Sequence, residues 1–129
     1  MDNVTVDSPE ELENVISADL QEFSDEKMHE IKDIIADKSK ECAANIRKDS
    51  PRNKGKYFKG WRATKEEEDD LHVSYLIANH SKKAPLTWLL ENGHATRNGG
   101  RVEAIPHIEP NVKKCVAEID AEIDKKAAE

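Results

Sequence analysis

Large aromatic rings are scarce in this chain of 129 residues, which has two each of Trp, Tyr and Phe. Two cysteines, Cys42 and Cys115, stand far apart with no CxxC pairing, which excludes a disulfide-dense scaffold and a cysteine-based zinc ribbon. No stretch approaches the roughly 20 apolar residues of a membrane-spanning helix. Met1-Asp2-Asn3-Val4-Thr5-Val6-Asp7 has neither the basic start nor the apolar run of a secretory signal. GxGxxG, the P-loop pattern GxxxxGK followed by Ser or Thr, and GxSxG are all missing. These absences point to a soluble intracellular protein with reduced thiols and no membrane association.

What is present is charge. Charged residues make up 36% of the chain and apolar residues only 36%, so one modest domain with a thin core is expected. The net charge of −7 hides a dipolar pattern. Residues 1–45 carry thirteen acids against four bases, a net of −9. Residues 46–65 carry eight bases (Arg47, Lys48, Arg52, Lys54, Lys56, Lys59, Arg62 and Lys65) against Asp49 alone, a net of +7. Glu66, Glu67, Glu68, Asp69 and Asp70 follow at once. Such blocks steer partners through their field, and bases interleaved with Tyr57, Phe58 and Trp61 are also what a single nucleic-acid strand grips. The same residues equally suit a solvated loop and hairpin.

Ser8-Pro9-Glu10-Glu11 has the form of a capping box with proline at the first helical position. Helical spacing follows through Leu12, Val15, Ile16, Leu20, Phe23, Met28, Ile31, Ile35, Cys42 and Ile46. A second potential cap at Ser24 leaves two readings: one long helix to about Lys48, or a short helix followed by a longer one. Asp49-Ser50-Pro51 ends the run, since the residue before proline avoids helical geometry. Tyr57 to Thr64 reads as a strand. Leu71 to Ala78 reads as a better one, with Leu71, Val73, Tyr75 and Ile77 on one face, and residues 65–70 form a hairpin loop between them. Pro85 to Glu91 predicts a short helix ended by Gly93. Asn98-Gly99-Gly100 marks a turn before a short strand, Arg101 to Ile105. Pro106 and Pro110 bracket a rigid connection into a last amphipathic helix with Val112, Cys115, Val116, Ile119 and Ile123 on one stripe. The expected fold is α+β: a small, mainly antiparallel sheet, made of the hairpin plus a short strand. It packs against a long N-terminal helix and a C-terminal helix, with a short central helix. Residues 1–23 are expected as an acidic arm or helix, and residues 24–129 as one domain.

Five histidines invite a metal proposal, the best being Glu91-x-x-His94 joined by His107. Di-metal bundles use that spacing twice with further carboxylates, and here Gly93 interrupts the helix. No catalytic, metal-binding or cofactor-binding residue is assigned, and nothing argues for an enzyme. Cys42 and Cys115 are expected as small core residues. Trp61 and Trp88 suit either the core or an interface anchor.

The segment that carries a resemblance runs from Ala84 to Pro110. Its parts are Trp88, then Leu89-Leu90-Glu91-Asn92-Gly93-His94, then Asn98-Gly99-Gly100, then Pro106-His107-Ile108-Glu109-Pro110, with a looser upstream match at Lys54-Gly55-Lys56-Tyr57-Phe58. It resembles the tail-component, or tail-completion, family of long-tailed bacteriophages like Hong Kong 97, over about residues 24–124. The resemblance implies a structural virion protein of the neck, without catalytic residues. It would form a ring, expected as a hexamer from monomers, that completes the tail and joins it to the head connector. Implied partners are further copies of itself, the head-connector protein, and the tail-tube or tail-terminator protein. DNA would be touched only in passage, and the protein would be in the host cytoplasm during assembly. Subunit or partner contacts are expected at Lys59, Trp61, Arg62, Glu66, Glu67, Glu68, Asp69 and Asp70, on a hairpin that projects from the body. The competing class is a nucleic-acid binder using residues 47–65; a metal-dependent nuclease built on His94 and His107 lacks a ligand set.

Overall fold

The computed structural model describes residues 4–7, 13–20, 23–52 and 55–128. Ser24 starts the first helix, α1 (Asp25–Asp49), its Oγ accepting the Lys27 N–H at 3.4 Å. Asp25 and Glu26 sit in the first turn and Arg47 and Lys48 in the last, each sign matched to the nearer end of the helix dipole. The chain turns extended at Ser50, whose hydroxyl bonds back to the Ile46 carbonyl. Met28, Ile31, Ile35, Cys42 and Ile46 form the buried stripe, as their spacing predicts.

The helical reading ahead of Ser24 is overturned. Val4–Asp7 is strand β1 and Asn14–Asp19 is strand β2. The proposed cap from Ser8 to Glu11 lies outside the described residues. Within 14–20 the buried positions are Asn14, Ile16, Ala18 and Leu20, a period of two. Leu12, Val15, Ile16 and Leu20 also fit a helical period, and β-branched Val15 and Ile16 next to a waiting sheet edge decide for the strand. Both strands belong to the main sheet, and Ile16, Ala18 and Leu20 enter the common core.

Tyr57–Gly60 is a 3₁₀ turn, so the strand expected from Tyr57 begins only at Trp61. Asn79 holds this turn, its side-chain amide donating to the Tyr57 carbonyl at 2.8 Å. Strand β3 (Trp61–Glu68) then runs through three of the acids assigned to the loop, with a bulge between Lys65 and Glu67. It pairs with β4 (His72–Asn79). Leu71 falls in the turn and is exposed, while Val73, Tyr75 and Ile77 face the core as expected. The sheet order is β1-β2-β4-β3, each neighbour antiparallel. Register sets Ile16 opposite Tyr75 and Ala18 opposite Val73, with Ala63 across from Ile77.

Next come a 3₁₀ turn (Ala84–Leu86) and the short helix α2 (Thr87–Asn92). A separate two-stranded ribbon pairs β5 (His94–Ala95) with β6 (Arg101–Val102), so the last predicted strand is shorter than expected and lies outside the main sheet. Helix α3 (Glu109–Ala127) packs on α1, and Cys115, Ile119 and Ile123 meet the α1 stripe in one core. The α+β layout is as the sequence implies: two long helices laid on an antiparallel sheet, with a short helix between.

Candidate functional site

Glu91 and His107, far apart in the resemblance segment, are brought together. Glu91 stands on the last turn of α2, and its carboxylate reaches the start of α3. Oε1 accepts from the backbone N–H of His107 at 2.8 Å and of Ile108 at 3.1 Å, and Oε2 from that of Glu109 at 3.1 Å. Ile108, at the N-cap position, has no acceptor of its own. A carboxylate from another helix therefore satisfies donors that α3 would otherwise leave open, at the positive end of its dipole. Burial opposes the charge on Glu91, but bonds from the His107 ring and from these three backbone groups outweigh it and hold the carboxyl at about 2.

His107 is fully buried. Its Nδ1 lies 2.7 Å from the Ile105 carbonyl and 3.0 Å from Glu91 Oε1, two acceptors that place the proton there. Nε2 then accepts from the Tyr57 hydroxyl at 2.8 Å. Thr87 Oγ1 lies 3.3 Å from that hydroxyl and donates to the Ala84 carbonyl at 2.7 Å. Burial pushes Tyr57 up to about 12; Thr87 and Trp61 pull it back, and the Glu91 charge adds to the rise. Tyr57, Trp61 and His107 meet edge to face, with centroids 5.7–6.1 Å apart. Asn111, one turn into α3, bonds the His107 carbonyl at 2.8 Å and Asp49 at 2.9 Å, tying the end of α1 to the same centre.

The acid, the imidazole and the hydroxyl are ordered as in a proton relay, but both rings are fully buried. What this geometry does is lock α2, α3, the end of α1 and the turn before β3 into one frame. His94 is elsewhere, in the ribbon opposite Val102, so the Glu91-x-x-His94 pairing does not form. Among the described residues no group of three or more His, Cys, Asp or Glu is placed to hold a metal ion. A groove of about 590 Å³ runs beside Glu91, lined among others by Asn14, Ile108, Val112, Val116 and Ala117.

Gly93 has φ +73°, and a Cβ there would lie 2.6 Å from the Val102 carbonyl oxygen; glycine lets the end of α2 and the ribbon meet. Gly99 turns the ribbon at φ +81° in open space, with Gly100 beside it. Leu90 is buried and Leu89 half-buried, whereas Trp88 is 51% exposed. Pro106 and Pro110 are exposed on either side of His107.

Two expected contact features are corrected. Trp61 is fully buried and belongs to the core, not to a surface. With Tyr57 also buried and Arg52 lying 4.0 Å over the Phe58 ring, the three aromatics of residues 47–65 do not form the stacking platform the nucleic-acid reading needs. The acidic hairpin tip does not project freely. Lys32 on α1 binds Glu68 at 3.3 Å and the Asp69 carbonyl at 2.6 Å, and Lys65 binds Glu68 at 2.6 Å. Lys59, Arg62, Glu66, Glu67, Glu68, Asp69 and Asp70 are exposed.

Tyr57, Thr87, Asn111 and Lys32 were not singled out for these roles from the sequence. The one readable hint is His107-x-x-x-Asn111, a helical-turn spacing at a proline-flanked helix start. No helix among the described residues is long and apolar enough to cross a membrane. No protein-family model, curated protein or solved structure matches the chain.

Proposed function

We propose that this chain is a structural protein of the phage neck, forming a ring of identical subunits that completes the tail and joins it to the head connector. The observation that carries the reading is the division of labour within residues 84–110. Leu90, Glu91, Gly93 and His107 are spent on the internal frame, whereas Trp88 stands half exposed on the same short helix. Tryptophan, with tyrosine and arginine, is enriched among the side chains that anchor protein interfaces. The frame supplies a rigid mount, because Thr87 and Glu91 on either side of Trp88 are both bonded into it. In a head-to-tail ring one surface meets a different surface of the next copy. Exposed Lys59 and Arg62 at one edge of the sheet offer opposite charge to an acid-rich neighbour.

Electron microscopy of particles made without this protein tests the reading. Separate filled heads and separate tails are expected, restored to joined virions by supplying the chain. Normally joined virions in its absence would refute it.

A further inference from the structure

Cys42 and Cys115 face each other across the seam between α1 and α3, with 1% and 4% of their surface exposed. Their hydrogen bonds are reciprocal. Cys42 Sγ donates at 3.8 Å to the carbonyl of Asn111, one helical turn before Cys115. Cys115 Sγ donates at 3.3 Å to the carbonyl of Lys38, one turn before Cys42. Each thiol thus points at the turn that carries the other. The neighbouring Cys115 side chain, followed by burial, raises the Cys42 thiol well above the ordinary thiol range. The helices are held in this register from outside by Lys38 with Glu118 at 3.0 Å and by Lys126 with Glu30 at 3.5 Å.

We propose that Cys42 and Cys115 are a disulfide-forming pair that ties α1 to α3 covalently when a peroxide reaches the seam. One thiolate sulfur attacks a peroxide oxygen, the O–O bond breaks, and the leaving hydroxide takes a proton to become water. The resulting sulfenic acid is attacked by the second sulfur; the S–O bond breaks, the S–S bond forms, and a second water leaves. Two electrons pass from the thiols to the peroxide, and a small thiol reductant reverses the change. Burial and the raised Cys42 thiol keep the thiolate scarce, so the reaction proceeds at the rate at which the seam opens. The bond closes a long loop containing β3, β4, α2 and the ribbon, which restricts the unfolded chain most strongly.

The test treats the full reduced chain with hydrogen peroxide and reads intact mass, a non-reducing peptide map and thermal midpoint, before and after reductant. The expected result is loss of two hydrogen masses in a monomer and a linked peptide pair containing Cys42 and Cys115. The midpoint should rise by about 5–15 °C and fall back on reduction. Oxygen adducts on separate cysteines, cross-linked dimers, or free thiols after prolonged exposure would each overturn the proposal. Cys115→Ser should abolish both the mass loss and the rise, and their persistence would also overturn it. The wild-type peptide map decides the matter even if that variant folds poorly.

Discussion

Replacing Glu91 with Gln keeps the shape of the side chain and removes the charge facing three backbone N–H groups at the start of α3. The folded carboxyl titrates at about 2 against an ordinary 4.5. A depressed carboxylate contributes stability that is complete above the unfolded value and is lost as pH falls from about 4.5 toward 2. The contribution is about 1–3 kcal/mol at neutral pH, since solvent screens part of the interaction. Urea unfolding across this range should show the loss in the wild type and a flatter profile in Glu91→Gln; parallel profiles would contradict this account of the cap. Gly93 and Gly99 make a second contrast. Both have positive φ, but only Gly93 meets backbone on its Cβ side. Gly93→Ala should cost about 2–4 kcal/mol and Gly99→Ala about 1 kcal/mol, measured by the same unfolding curves. Glu91, Gly93 and His107 were all visible in the sequence as a motif. Their pairing was not, because spacing along the chain favours His94 for Glu91, and only the packing of α2 on α3 brings in His107.

Helices α1 and α3 were legible because their apolar residues recur every three or four positions over many turns; Pro110 marks the start of α3, while Ser24 was only one of two starts open for α1. The N-terminal strands were not. Over a segment as short as residues 12–20, helical and alternating patterns share most of their apolar positions, and a waiting strand edge on β4 chooses between them. The acidic hairpin misled in another way. A run from Glu66 to Asp70 reads as loop, yet β3 continues to Glu68 because β4 supplies its hydrogen bonds and Lys32 and Lys65 neutralise its charge. Lys32→Ala removes the tie between α1 and the tip. Amide hydrogen exchange should quicken at residues 68–72 and stay unchanged in β2, with little shift in global unfolding, as is usual for partly exposed ion pairs. Unchanged exchange at the tip would show that the bulged ladder alone holds it.

The sheet order places β1, from the acid-rich N-terminal segment, at one edge and β3, which ends the base-rich segment, at the other. In the proposed ring, copies meet through the Trp88 face, and any pairing of the exposed Lys59 and Arg62 with acids of the neighbour would weaken as salt rises. Trp88→Ala should leave stability within about 0.5 kcal/mol of the wild type, since the ring is half in solvent. It should nevertheless abolish ring formation on tails. Sedimentation and microscopy of tails incubated with the variant check this, and normal rings would remove Trp88 from the interface.

Composition and periodicity by themselves determined the α+β class, both long helices, the β4 core face and the turn at Gly99, because each rests on local geometry or on one repeating pattern. Tertiary structure decided the rest. It turned the N-terminal segment into strands, chose the core over an interface for Trp61, pinned the acidic tip to α1, and joined Glu91 to the start of α3. Each of these depends on which distant group arrives to satisfy a hydrogen bond or cover an apolar face, and a linear pattern does not record that arrival.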